Sequence, residues 1–396
     1  MRILLSFLQA LKPHPISSYR HWETYLKKGI EEGGHFWTEV SNTDWAEALT
    51  ITDEIKLDGW RERTWSRTLD FLQQEMKSAP VDLFLSYLYP KMVDSSAISE
   101  IQRLGVPCVN FFCDNVRDFR KVPSEFHCFD LNWVPEYQAL AMYKKAGLKH
   151  FHAPMPCWVA PEHRTCSHPE TQTVTFIGSP GDQRRHLMGQ AIQLGADISI
   201  YGMGWQGDSG QRHNVEKNLG ELLVNQLRHV RQHGVKSWFL KFERRFLPLS
   251  RPSSIPPERL LGKLSPGDYV RVMQQSSIAL GINRMEGPHR ALRNPITYSR
   301  LRDVEAPMMG ACYLTEWAED LEHLYDLGTE IETYRSAKEL VRKIAELRAD
   351  SSKRRRLRRA GQMRALSELS IPASLRKIAK ALGIVLGPKS DAPRAH

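Results

Sequence analysis

Arg302 and Glu305 lie three residues apart in a stretch that reads as a helix, then a small-residue turn at Gly310, then a strand through Tyr313-Leu314-Thr315. On one helical face, a guanidinium donates to a diphosphate while a carboxylate accepts two bonds from a ribose diol, so the pair suits a nucleotide diphosphate. The same spacing also fits an ordinary i, i+3 ion pair, worth roughly a few tenths of a kcal/mol to a helix. A second candidate is Gly178-Ser179, directly after the apolar run Val174-Thr175-Phe176-Ile177. In an open parallel sheet such a turn presents backbone N–H groups to an anion. Arg184 and Arg185 follow, either as charge-assisted donors or as solvated helix residues. Gly202-Met203-Gly204-Trp205-Gln206-Gly207 satisfies G-x-G-x-x-G after another short strand, but Asp208-Ser209-Gly210 follows where a dinucleotide fingerprint opens a helix. That leaves a plain glycine turn, or one whose backbone approaches a base or ribose. No G-x-x-x-x-G-K-[ST] occurs, which argues against a Walker-type site. His163-x-x-Cys166-x-His168 has ligand types but no fourth member, so no metal is expected.

The elements that must position these residues read as βα units. Strands are expected at Ile3–Phe7, Asp82–Tyr87, Cys108–Phe112, Val174–Ile177 and Ile198–Tyr201. Helices are expected at Tyr19–Gly33, Ser95–Leu104, Glu136–Ala146 and Arg184–Leu194, the alternation of a parallel sheet. Pro154, Pro156, Pro161 and Pro169 mark a linker, giving an N-terminal domain over 1–160, a second over 161–365, and a helix and polar tail over 366–396. The 396 residues, at about 150 per domain, agree with two substantial domains. No internal repeat is present. No stretch approaches about 18 consecutive apolar residues, and the N-terminal apolar run reads as a strand rather than a signal peptide. The six cysteines form no C-x-x-C pair and read as reduced thiols. The net charge of +10 favours an anionic partner. Much of it lies in a basic insertion near 226–257, where residues 226–251 hold seven Lys or Arg against one Glu, among Trp238, Phe239, Phe242 and Phe246.

From Thr173 to Leu347 the order of motifs resembles the CgeB-like glycosyltransferases, a group of GT-B nucleotide-sugar enzymes. The matching elements are Phe176-Ile-Gly-Ser179, Ile200-Tyr-Gly-Met-Gly-Trp205, and Tyr269-Val270 leading to Ser276-Ser-Ile-Ala-Leu-Gly-Ile-Asn283. Arg302-x-x-Glu305-Ala306, Gly310-Ala311 and Leu324-Tyr-x-x-Gly-x-Glu-Ile-x-x-Tyr334 come after them, while Asp130–Trp133 and Tyr143–Gly147 look like the end of the family's N-terminal domain. The resemblance implies a GT-B architecture, two Rossmann-like domains facing a central cleft, with the nucleotide-diphosphate sugar on the C-terminal one. Carried over, Glu305 holds the ribose hydroxyls, Arg302 and the Gly178-Ser179 turn lie near the diphosphate, and Gly202, Gly204 and Trp205 line the base; Arg184, read above from its position, and Asn283 join them as donor-site candidates. One departure stands out: related retaining enzymes carry Glu-x7-Glu, and Thr297 occupies the first of those positions. Stereochemistry and sugar identity are left open.

Glycosyl transfer needs a base for the acceptor hydroxyl. Asp114, just past the strand Cys108–Phe112, and His14, after the first strand, are the two candidates, each otherwise an ordinary loop residue. The expected protein is a cytoplasmic, metal-independent transferase with no cofactor besides its nucleotide-sugar co-substrate, acting on a surface-glycan, lipid-linked or protein acceptor. The 226–251 segment is a candidate for peripheral contact with the inner face of an anionic membrane. The rival readings are a non-catalytic GT-B-like scaffold and a nucleic-acid-binding protein using 226–251 and the basic run 353–359, although neither run carries a nucleic-acid motif.

Overall fold

The computed structural model describes residues 1–14, 19–205, 255–286 and 295–386, and the basic 226–251 segment lies outside them. The chain divides into two units, Met1–Asn115 with Phe119–Val159 and Ser367–His396, and Ala160–Leu366 with Val116–Asp118.

The first unit is built on β1 (Arg2–Ser6), β2 (Phe36–Glu39), β3 (Leu83–Ser86), β4 (Cys108–Phe111), β5 (Leu131–Val134) and β6 (His150–His152). All pair parallel in the order β2-β1-β3-β4-β5-β6. Near-continuous apolar runs such as Ile3-Leu4-Leu5 and Leu83-Phe84-Leu85 are fully buried, as a sheet covered on both faces requires. The connections are α1 (Tyr19–Glu32), α2 (Glu47–Thr50), α3 (Glu54–Glu75), α4 (Ser95–Arg103) and α6 (Tyr137–Lys145), with the short α5 (Asn115–Asp118), whose last three residues fall in the second unit, between β4 and β5. The order reverses between β1 and β3, a switch point beside which open sheets take ligands at their carboxyl ends.

The second unit has β7 (Val174–Ile177), β8 (Ile198–Tyr201), β9 (Ile278–Gly281), β12 (Tyr313–Glu316) and β13 (Glu332–Tyr334), parallel in the order β13-β12-β9-β7-β8. A small antiparallel pair, β10 (Arg284–Met285) with β11 (Ile296–Thr297), lies outside that sheet. Its helices are α7 (Asp182–Gln193), α8 (Pro266–Gln275), α9 (Arg302–Met308), α10 (Glu319–Leu324), α11 (Ala337–Ala349) and α12 (Ser351–Glu368). Here the switch point falls between β7 and β9, so the Gly178-Ser179 turn sits beside it.

The last helix, α13 (Ile371–Leu382), is not a free tail. Ser370 caps it by accepting from Ala373 N–H, and Ile371, Leu375, Ile378 and Ala379 are buried. It packs on α1 of the first unit, where Gly29 leaves room for Ile371: a Cβ there would lie 2.5 Å from the Ile371 Cβ. Among the described residues no helix is long and apolar enough to cross a membrane.

The basic run 353–359 also differs from a solvated face, because Arg354 and Arg358 point inward, 4% and 6% exposed. Arg358 donates to the carbonyls of Gln274 (2.9 Å), Gly310 (2.9 Å) and Ser276 (2.5 Å) and to Glu170 (3.2 Å), while Arg354 bonds the same Glu170 at 2.9 Å through Nε. The planar fork thus satisfies loop carbonyls on which α8 and α9 end. Arg358→Met is expected to lower stability by about 3–5 kcal/mol, read as a lower urea midpoint. Arg358→Lys should recover little of it, since an ammonium cannot span three carbonyls and a carboxylate.

Candidate active site

The carboxyl edge of the second sheet is assembled from three loops. Gly178 ends β7: its N–H donates to Tyr201 O at 2.9 Å and its carbonyl accepts from Trp205 Nε1 at 2.7 Å. Gly202, just past β8, has φ 145°, and a Cβ on it would lie 2.2 Å from Gly178 O, so only glycine lets the two turns touch. Trp205 is 2% exposed and packs edge-on against Phe176, with Arg185 stacked 5.2 Å over its ring. Arg185 also donates to the carbonyls of Trp205 and Gly204. Trp205 and Arg185 therefore shape the turn from beneath, and Gly202 and Gly204 carry backbone there.

Arg184 has a different role. Half-buried, it donates to Ser179 O (3.0 Å) and Ser179 Oγ (3.3 Å). Its pKa is lowered, first by burial and then by Arg300 and Arg302, which lie within electrostatic range. Arg300 stacks 4.9 Å over Tyr298 and donates to its hydroxyl at 2.6 Å. Arg302 stacks 5.0 Å over Tyr269, and its Nε is 3.4 Å from Glu305 Oε2. That oxygen also accepts the Tyr269 hydroxyl at 2.5 Å, and Glu305 is 6% exposed, more enclosed than a freely presented ribose ligand would be. Arg300 and Arg302 thus lie within electrostatic range of Arg184 at the sheet's carboxyl edge, with Glu305 beside Arg302 and Glu316 acting on Arg184, and the like charges among them favour an anion there.

Two buried carboxylates that the sequence reading passed over hold this arrangement. Asp303, fully buried, accepts from Arg300 N–H (2.7 Å), Tyr313 OH (2.8 Å) and Thr315 Oγ1 (2.9 Å). Burial still raises its pKa, against those bonds. Glu316, 3% exposed, pairs with Arg284 and accepts the backbone N–H groups of Asn283 (3.2 Å) and Arg284 (3.0 Å). Asn283 is itself 1% exposed and donates to Glu316 O at 2.8 Å, so it braces the loop after β9. Asp303 follows a run of exposed-looking charges and Glu316 ends an apolar strand. The only signal available was an acidic residue inside a run otherwise destined for the core.

In the first unit, Asp114 adopts a left-handed conformation (φ 76°, ψ 19°) at the start of α5. Below it Glu136, fully buried, accepts both the backbone N–H (2.6 Å) and the side-chain amide (2.8 Å) of Asn115, whose Oδ1 takes the Tyr143 hydroxyl at 2.9 Å. Leu8 (φ 57°) and Asn42 (φ 56°) are the other non-glycine residues with positive φ among those described. All three follow carboxyl ends of parallel strands, where stored strain accompanies ligand sites. His14 lines a pocket beside β1 and β2 whose walls do not include Asp114, so the two base candidates are not brought together there.

This architecture, two Rossmann-like α/β domains each with a parallel sheet, is the GT-B fold. Residues 184–380, just under half of the chain, match the model of a family described as glycosyl transferase-like. The chain therefore has a GT-B fold and, over 184–380, is similar to that family. Anabaena HepE in complex with UDP superimposes with a TM-score of 0.54 at 12% identity, over 97% of this chain and 100% of that one. A glycosyltransferase from Rickettsia africae gives 0.53 at 11%, over 96% and 98%. Sucrose-phosphate synthase from Thermosynechococcus elongatus gives 0.51 at 11%, over 96% and 99%. No curated protein matches the chain in sequence.

Burial raises the Glu136 carboxyl from 4.5 to about 8, with the charge of Asp114 adding to the rise and the Asn115 bonds opposing it. The folded chain then keeps a proton that the unfolded chain releases, so stability falls as pH rises from about 4.5 to about 8 and levels off above. Urea midpoints measured across that window should show the fall in the native protein. Glu136→Gln should flatten it.

Proposed function

We propose that this protein is a nucleotide-sugar glycosyltransferase whose donor site is the carboxyl edge of the second sheet. The observation that carries the reading is the convergence of Arg184, Arg300 and Arg302, with Glu305 beside them, at the switch point of that sheet. In such a site the Gly178-Ser179 turn and the guanidiniums hold the diphosphate. As the glycosidic bond breaks, negative charge grows on the leaving phosphate oxygen, and fixed guanidiniums stabilise it more in the transition state than in the ground state. They supply the neutralisation a divalent cation would otherwise give, so transfer is proposed to be metal-independent and insensitive to chelators. Glu305 accepts the ribose diol after exchanging its bond to Tyr269, and the Gly202–Gly204 backbone borders the base. UDP is the first nucleotide to test, because HepE was solved with UDP and with UDP-glucose.

The first unit supplies the acceptor and the base. Asp114 is the preferred base, because the Glu136–Asn115 clamp fixes its backbone past the carboxyl end of β4, and His14 is the alternative. Attack by the deprotonated hydroxyl on the anomeric carbon expels the nucleoside diphosphate. The acceptor class (surface glycan, lipid-linked or protein), a cytoplasmic setting, the CgeB-like subtype and peripheral membrane contact through 226–251 belong to the same proposal and follow from the sequence reading.

Thermal-shift titration with UDP, GDP, dTDP and CMP tests the donor site, since a ligand of the native state raises Tm in step with RT ln(1 + [L]/Kd). No shift with any of them at about millimolar concentration would count against the proposal. Arg302→Ala and Glu305→Ala should each weaken nucleotide binding about ten- to a hundredfold, the loss expected for a charged hydrogen-bond partner. Asp114→Asn should leave that affinity intact and lower kcat.

A further inference from the structure

We propose that the pocket beside the carboxyl ends of β1 and β2 binds the phosphate of a phosphorylated acceptor through Arg63, Arg67 and Lys12, an inference that rests on reading the first unit as the acceptor domain. The pocket has a volume of about 460 Å³, within the range of small-molecule sites. Arg63 and Arg67 stand one turn apart on α3, and the rest of that helix is locked in place. Trp60 and Trp65 are buried edge-on against Trp45 at 6.0 and 5.2 Å, and Trp65 Nε1 donates to Met92 O at 2.9 Å. The two guanidiniums are therefore offered from a fixed backbone.

These cations are not neutralised within the described chain. Lys12 and Arg63 form no ion pair among the described residues, and Arg67 makes a single long bond, 3.4 Å, to Asn42 O. Asp44, in the pocket wall, is engaged on both oxygens by backbone donors, Leu11 N–H at 3.0 Å and Glu47 N–H at 2.9 Å. Glu47 is the other acidic residue of the wall.

A second, independent observation points to a ligand. Thr43, in the wall of this pocket, is 5% exposed, and its hydroxyl has no hydrogen-bond partner among the described residues. A buried hydroxyl without a partner is costly, and a phosphate oxygen accepts from it. Its neighbour Asn42 holds the left-handed conformation noted above, so strain and unmet polarity coincide. Two forked guanidiniums, an ammonium and a hydroxyl suit a multi-oxygen tetrahedral anion better than a planar carboxylate. Leu11 and Pro13 give the pocket an apolar flank for whatever the phosphate is attached to.

Isothermal titration calorimetry on the full chain, with inorganic phosphate, glucose 6-phosphate and dodecyl phosphate in detergent, tests this. Saturable binding is expected in the native protein, with a loss of about tenfold or more in R63S/R67S and partial retention in R63K/R67K. A preference for glucose 6-phosphate over inorganic phosphate supports a soluble acceptor, and a preference for dodecyl phosphate a lipid-linked one. Equal binding by native protein and R63S/R67S, or no heat with any of the three at about 10 mM, overturns the proposal. UDP is titrated into the same samples. Phosphate binding lost in R63S/R67S with UDP binding kept supports the pocket, whereas phosphate binding with no binding of UDP, GDP, dTDP or CMP keeps the pocket and overturns the donor reading instead.

Discussion

The donor edge of the second unit depends on one buried carboxylate. Asp303 is fully buried and accepts hydrogen bonds from the backbone of Arg300 and from two hydroxyls of β12, those of Tyr313 and Thr315. Its own carbonyl accepts the Tyr325 hydroxyl at 2.7 Å. An ionised group in that position is tolerable only because its oxygens are satisfied, and the same bonds pin the start of α9 to the carboxyl end of β12. Arg300, Arg302 and Glu305 all take their positions from that pin.

The pin sets further demands on the strands. Thr315 and Tyr313 reach Asp303 over the end of β9, and Gly281 is the residue that lets them pass: a Cβ there would lie 2.1 Å from the Tyr313 hydroxyl oxygen. The carbonyl of Gly281 is not left idle, since Tyr334 OH donates to it at 2.7 Å from the edge strand β13. A side chain absent from β9, two hydroxyls on β12 and a phenol on β13 therefore form one construction, holding charged residues at the only edge of a parallel sheet where loops are free to meet a ligand. Such a network is stiff in one respect that matters for catalysis. Donors fixed before the reaction need no reorganisation as charge develops.

The first unit solves a different problem with the opposite economy. Its carboxyl-edge loops carry the non-glycine positive φ values at Leu8, Asn42 and Asp114. Each conformation costs of order 1–3 kcal/mol and persists only if its surroundings over-determine it. At Asp114 the over-determination is visible: Glu136 accepts two N–H groups of Asn115, and the Tyr143 hydroxyl donates to that residue's side-chain Oδ1. At Asn42 the neighbouring Asp44 ties the Leu11 loop to the start of α2. The second unit buries charge to direct charge, while the first buries polar clamps to hold strained backbone.

What was legible in the sequence follows the range of the forces involved. The fold class, the strand at Val174–Ile177 and the pairing of Arg302 with Glu305 are local patterns, written in periodicity and i, i+3 spacing, and the structure places Arg302 Nε 3.4 Å from Glu305. The strand Phe36–Glu39 was not legible, because three of its residues are half-exposed and the fourth exposed, so no apolar run marks it. The basic run 353–359 was a candidate nucleic-acid contact in the sequence. Yet Arg354 and Arg358 go inward, where they satisfy the carboxylate of Glu170 and the carbonyls of Gln274 and Ser276, all more than 80 residues away along the chain. Trp205 was expected in the turn that lines the base, but its indole found its acceptor in Gly178, a partner set by strand register rather than by spacing. Each of these depends on which strand lies beside which. A charged residue in a sequence announces that it needs a partner, and only the topology says whether that partner is a ligand or the protein's own backbone.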